Sequence, residues 1–119
     1  MDFAGKIALV TGGASGIGKA TVMELARGGA RVVCADINQT TGQALVEEAR
    51  RSNLDVEYEL IDLTDSASVR RCAAAVTARH PKIDILVNAA GFSLFYPFLE
   101  TPPEYLDKVI AGNLPAHCI

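Results

Sequence analysis

The chain has 119 residues, half of them apolar and 21% charged, with a net charge of −3. That is the composition of one globular domain, and it carries no basic footprint for nucleic acid or for an anionic membrane surface. No apolar run is long enough for a membrane span, residues 1–6 lack the basic-then-apolar layout of a signal peptide, and the three cysteines (Cys34, Cys72, Cys118) show no paired spacing. These features predict reduced thiols and a cytoplasmic setting, with neither nucleic acid nor membrane as partner.

Short apolar segments alternate with amphipathic ones. A first strand is predicted over 6–11, followed by the glycine run Thr11-Gly12-Gly13-Ala14-Ser15-Gly16-Ile17-Gly18. A helix from Gly16 to Arg27 follows and ends at Gly28-Gly29. Residues 31–36 read as a continuous apolar strand closed by an acid. The spacing of Thr40 and Gln43 predicts a capping box for a second helix reaching about Ser52. A weaker strand is expected over 56–61. Val69, Cys72, Ala73 and Val76 then form the stripe of a third helix, which ends at His80-Pro81. Residues 83–88 predict a fourth strand, and Thr101-Pro102-Pro103-Glu104 opens a fourth helix.

Apolar strands alternating with helices predict an α/β fold, a doubly wound parallel sheet covered on both faces. The expected order is 3-2-1-4, in a single domain over residues 1–119, with Val10, Val33 and Leu86 buried in its central strands. Ligands of such sheets bind beyond the carboxyl ends of the strands, where the winding reverses. The glycine run after strand one and Asn88-Ala89-Ala90-Gly91 after strand four both fall at that crevice.

A strand, a glycine-rich turn and a helix start form an anion site, because bare backbone N–H groups and the helix dipole favour a phosphate. Read from Gly13 to Lys19, the run also approaches the phosphate loop of an NTPase. That loop needs a Ser or Thr after the lysine to hold Mg²⁺, and Ala20 stands there. Asp36 favours a dinucleotide instead. It ends strand two, 18 residues after Gly18, where an acid meets the ribose hydroxyls of NAD. A carboxylate there repels a 2′-phosphate, and neither Ser15 nor Ile37 supplies a cation for one, so NAD is expected over NADP.

With these motifs in order, the chain resembles the N-terminal half of a short-chain dehydrogenase/reductase. That family carries TGxxxGxG, here Thr11 to Gly18, and NNAG or a near variant, here Asn88 to Gly91. It often has an acid and a small apolar residue after strand three, here Asp62-Leu63. The resemblance implies cofactor contacts at Gly12, Ser15, Gly16, Ile17, Gly18, Asp36, Ile37, Asp62, Leu63, Asn88, Ala89, Ala90 and Gly91. It further implies that Asn113 is the asparagine of a catalytic Asn-Ser-Tyr-Lys tetrad. The activity implied is hydride transfer between NAD(H) and a small-molecule secondary alcohol or ketone, in a full-length form that can be a homo-oligomer.

The same resemblance defines a departure. The tetrad's tyrosine and lysine occupy a YxxxK motif, and the positions four residues after Tyr58, Tyr96 and Tyr105 are Asp62, Glu100 and Val109. The 119 residues are therefore expected to be inactive alone. A non-catalytic chain that binds NAD or associates with a full-length relative is the alternative. Plainer readings stand beside several site residues. Asp62 fits a loop acid near a helix cap at Thr64 or Asp65, Asn88 fits a turn, and Gly112-Asn113 before Pro115 fits a helix C-cap. His80 and His117 lack partner spacing and read as structural or solvent-facing. No cluster has metal-ligand spacing.

Overall fold

The computed structural model describes residues 2–89. Seven elements follow in chain order: β1 (Ile7–Thr11), α1 (Gly16–Arg27), β2 (Arg31–Asp36), α2 (Gln39–Arg51), β3 (Val56–Leu60), α3 (Ser66–Arg79) and β4 (Ile85–Asn88). The strands pair in the order β3-β2-β1-β4, every pair parallel. This is the doubly wound arrangement the alternating pattern predicts. The predicted fourth helix, with Ala90, Gly91, Asn113 and the segment after it, falls outside the described residues.

Strand alternation sorts the core into two layers. Ala8, Val10, Val32 and Cys34 face one way and pack with Val22, Met23 and Ala26 of α1 and Leu45 and Ala49 of α2. Leu9, Val33 and Ala35 face the other way and pack with Val69, Cys72, Ala73 and Val76 of α3. With both faces covered, β1 and β2 have no wet side, which is why their sequences are continuously apolar. Val10 and Val33 are fully buried, as expected. Leu86 is only half-buried: β4 pairs on one side with β1 and has no strand on its other side among the described residues.

The helix ends follow local chemistry. Gly28 caps α1 at its carboxyl end, and Gly29 turns the chain with φ +102° against Ala4. At α2 the predicted capping box is not formed. Asn38, not Thr40, is the N-cap, and its side-chain oxygen accepts from the Thr41 N–H at 3.1 Å. That places Thr40 inside the helix, and Asn is among the best cap residues. Asp65 caps α3 by accepting from the Ala67 N–H at 3.0 Å.

Cys34 and Cys72 are free thiols on opposite faces of the sheet. Burial first, then the charge of Asp36, pushes the Cys34 thiol up to about 12. Burial and Glu59 do the same for Cys72. Neither is a nucleophile at neutral pH. His80 is buried rather than solvent-facing, and its Nε2 lies 2.9 Å from Glu57 Oε2. That partner is on β3, beyond the reach of local spacing.

Candidate functional site

The turn between β1 and α1 is fixed by contacts its glycines permit. Gly12 and Gly16 take φ +71° and +57°, conformations that disfavour any side chain. Gly18 answers a different need, because a Cβ there would run into the Gly12 carbonyl and the Gly13 Cα. The first turn of α1 thus lies directly on the glycine loop. Space around Gly16 is open, with nothing within 4 Å of where its Cβ would stand.

The loop is tied to the end of β2. Gly12 N–H donates to the Ala35 carbonyl at 2.7 Å, and Ala14 N–H donates to Asp36 Oδ2 at 3.1 Å. The other carboxylate oxygen of Asp36 accepts from Asn38 N–H at 2.8 Å. The sequence places Asp36 here as a ribose ligand; it does not reveal that the same carboxylate anchors the glycine turn. Each oxygen accepts one such bond and keeps further acceptor capacity, since a carboxylate has about four lone-pair sites. At the start of α1, Ser15 makes no side-chain cap, and the N–H groups of Ile17 and Gly18 find no acceptor among the described residues. These are the bare donors of a helix N-terminus.

Three large apolar side chains are exposed at this end of the sheet. Ile17, Ile37 and Leu60 are 73%, 63% and 52% exposed. Ile37 follows β2 and Leu60 ends β3 opposite Asp36, so two of the three lie side by side at the carboxyl edge of the sheet. Isolated exposed apolar side chains are ordinary, but these stand at the carboxyl end of the strands, where ligands of doubly wound sheets bind.

Asp62 follows β3 in a tight turn. Its Oδ1 accepts from the Thr64 N–H at 2.9 Å and the Thr64 hydroxyl at 2.6 Å, while its own N–H donates to Ser68 Oγ at 2.9 Å. The side chain of Leu63 packs inward against the α3 layer of the core. The plain reading of Asp62 as a turn acid is thus realised. Asn88 stands opposite Thr11 in the β1–β4 register. The buried Thr11 hydroxyl lies 2.7 Å from Asn88 Oδ1, and Ala89 N–H donates to the Thr11 carbonyl at 2.8 Å. Asn88 and Ala89 therefore fasten β4 to β1 at the mouth of the crevice. Ala90, Gly91 and Asn113 lie outside the described residues.

Among the described residues, no group of three or more His, Cys, Asp or Glu side chains is placed to hold a metal. Among them also, no helix is long and apolar enough to cross a membrane.

The fold and this crevice define a nucleotide-binding α/β domain of the doubly wound type. The chain matches the family model described as short chain dehydrogenase over residues 6–119, and it belongs to that family, the short-chain dehydrogenases/reductases. It is 46% identical over 91 residues to the human dehydrogenase/reductase SDR family member 13, covering 75% of this chain and 24% of that protein. It is 40% identical over 114 residues to a sorbitol dehydrogenase of Cereibacter sphaeroides, covering 96% and 43%. Among solved structures, the Pseudomonas aeruginosa RhlG/NADP active-site complex superposes with a TM-score of 0.77 at 30% identity, covering 97% of this chain and 47% of that one. The chain spans less than half the length of the curated relatives it matches. The family consists of oxidoreductases that bind a nicotinamide dinucleotide.

Proposed function

We propose that these residues form a single, partial dinucleotide-binding domain, and that the whole protein interconverts a small secondary alcohol and a ketone with NAD(H). The observation that carries the cofactor choice is Asp36, whose carboxylate ends β2 and faces the glycine turn through Ala14. A ribose diol donates hydrogen bonds to such a carboxylate. A 2′-phosphate at the same place meets a like charge, which costs several kcal/mol when not screened. The relative solved with NADP counts against a rule for the whole family, so the assignment rests on Asp36 and on Ser15 and Ile37, neither of which is a cation.

Each part of the crevice then has a task. The Gly12–Gly18 turn and the open N–H groups of Ile17 and Gly18 receive the pyrophosphate. Ile37 and Leu60 flank the adenine, with Asp62 and the Leu63 N–H on its polar edge. Asn88, Ala89, Ala90 and Gly91 line the crevice beyond Thr11, and Ile17 guards the approach to the nicotinamide. The nicotinamide ring supplies the hydride acceptor or donor when bound. Asn113 is assigned to a proton relay for groups that these 119 residues do not include.

Titration calorimetry of the chain with NAD⁺ and NADP⁺ tests the cofactor assignment. NAD⁺ is expected to bind tighter, and Asp36→Ala to narrow the gap. Equal affinities in the unmutated chain would overturn it.

A further inference from the structure

We infer that Tyr58 is a positioning residue for cofactor discrimination: by holding the main chain of Asp36 it sets where that carboxylate stands. The inference rests on the NAD assignment of Asp36 in the preceding subsection. Tyr58 lies in the middle of β3, opposite Cys34 in the β2–β3 register. Its hydroxyl reaches along the sheet and donates to the Asp36 carbonyl at 2.7 Å, an ideal length for an O–H···O bond. The Ile61 N–H donates to the same carbonyl at the longer distance of 3.3 Å. Asp36 is thereby held from both ends. Its carbonyl is gripped by Tyr58, and its carboxylate is fixed by the N–H groups of Ala14 and Asn38.

The ring itself is held in turn. Gly42, buried on α2, lies so close to it that a Cβ at Gly42 would overlap the Tyr58 ring carbons. That glycine is the fourth residue of α2, in a helix where Gly is disfavoured relative to Ala. Close passage of the Tyr58 ring gives a physical reason for it. Burial first, and the Asp36 charge second, push the Tyr58 pKa up, so the phenol keeps the proton it donates. The chain of contacts therefore runs from Gly42 through the Tyr58 ring and hydroxyl to Asp36, and from Asp36 to Ala14 in the glycine turn.

The test uses two probes that differ only in the 2′-phosphate: 5′-AMP and adenosine 2′,5′-bisphosphate. Their dissociation constants are measured on the full chain by ligand-observed NMR. Unmutated protein is expected to favour 5′-AMP by about tenfold, the effect of one like-charge contact screened by solvent and salt. Tyr58→Phe removes only the hydroxyl and should shrink that ratio by about threefold, the scale of one hydrogen bond. In an Asp36→Ala background the same substitution should leave the ratio unchanged, because the group it positions is gone. Gly42→Ala, which pushes the ring from the α2 side, should shrink the ratio as Tyr58→Phe does. If Asp36→Ala alters the ratio but neither Tyr58→Phe nor Gly42→Ala does, the positioning role is overturned while the NAD assignment stands. An equal effect of Tyr58→Phe on the ratio with and without Asp36 also overturns it, since the residue would then act independently of that carboxylate. If Asp36→Ala itself leaves the ratio unchanged, the NAD assignment falls and the inference falls with it.

Discussion

Gly16 and Gly18 stand two residues apart in one turn and are required for different reasons. Gly16 has room for a side chain but φ +57°, so Gly16→Ala meets only the left-handed penalty, about 1–2 kcal/mol. Gly18 has an ordinary φ, but its Cβ would strike the Gly12 backbone, and Gly18→Ala should cost more, about 2–3 kcal/mol, by forcing α1 off the loop. Urea unfolding of the two variants checks that order. A motif of spaced glycines announces a turn in the sequence, but it does not say which glycine is steric and which conformational. Asp36 makes the same point. Its place at a strand end is legible from spacing, whereas its bonds to Ala14 and Asn38 depend on how closely the turn folds back. Asp84 was not singled out by the sequence at all. Its Oδ2 accepts from the Ile7 N–H at 2.9 Å, and this bond, ahead of Lys82 and Lys6, lowers its pKa below the ordinary 3.8. A lowered folded-state pKa means stability present above 3.8 and lost as pH falls through the folded value. Asp84→Asn should therefore flatten the fall in urea midpoint below about pH 4, leaving the profile above it parallel to that of the unmutated chain.

At the scale of elements, all seven strands and helices among residues 2–89 were legible, because apolar periodicity and Gly or Pro punctuation agree along this stretch. What was not legible was which polar residue caps α2. Thr40 has the capping-box spacing, yet Asn38 takes the role, two residues earlier. The Asn38 N–H bonds back to Asp36, and its side chain reaches forward to Thr41. The helix start is thus set by the strand end before it, a coupling between neighbouring elements that a local pattern does not carry. Asn38→Ala should cost about 1 kcal/mol, and Thr40→Ala, on the exposed first turn, a few tenths at most. Thermal melts of the two variants measure the difference, and an equal loss from both would restore Thr40 as the cap. The partial burial of Leu86 has a similar origin: the sequence marks 83–88 as a strand but not how many neighbours cover it.

Across the whole molecule, the two ends of the sheet differ in chemistry. The carboxyl end of the strands presents open N–H groups, the Asp36 and Asp62 carboxylates and exposed Ile17, Ile37 and Leu60. In the proposed function this end takes the nucleotide, and among the described residues it shows no tyrosine–lysine pair to take the proton of an alcohol. A hydride can leave an alcohol carbon only as the hydroxyl proton departs, and that proton needs a base of suitable pKa within hydrogen-bond reach. Of the three tyrosines, none has a lysine four residues on. Tyr58 in addition spends its hydroxyl on the Asp36 carbonyl and has its pKa raised, the reverse of what a base requires. Asn113 carries a neutral amide, which hydrogen-bonds but does not serve as that base. The 119-residue chain alone is therefore expected to bind NAD(H) weakly and to show no dehydrogenase turnover. Following NADH absorbance with a panel of secondary alcohols and tag-free protein checks this. Turnover that Gly16→Val in the phosphate turn abolishes would prove that the chain carries its own base, and that the base lies outside every group assigned here.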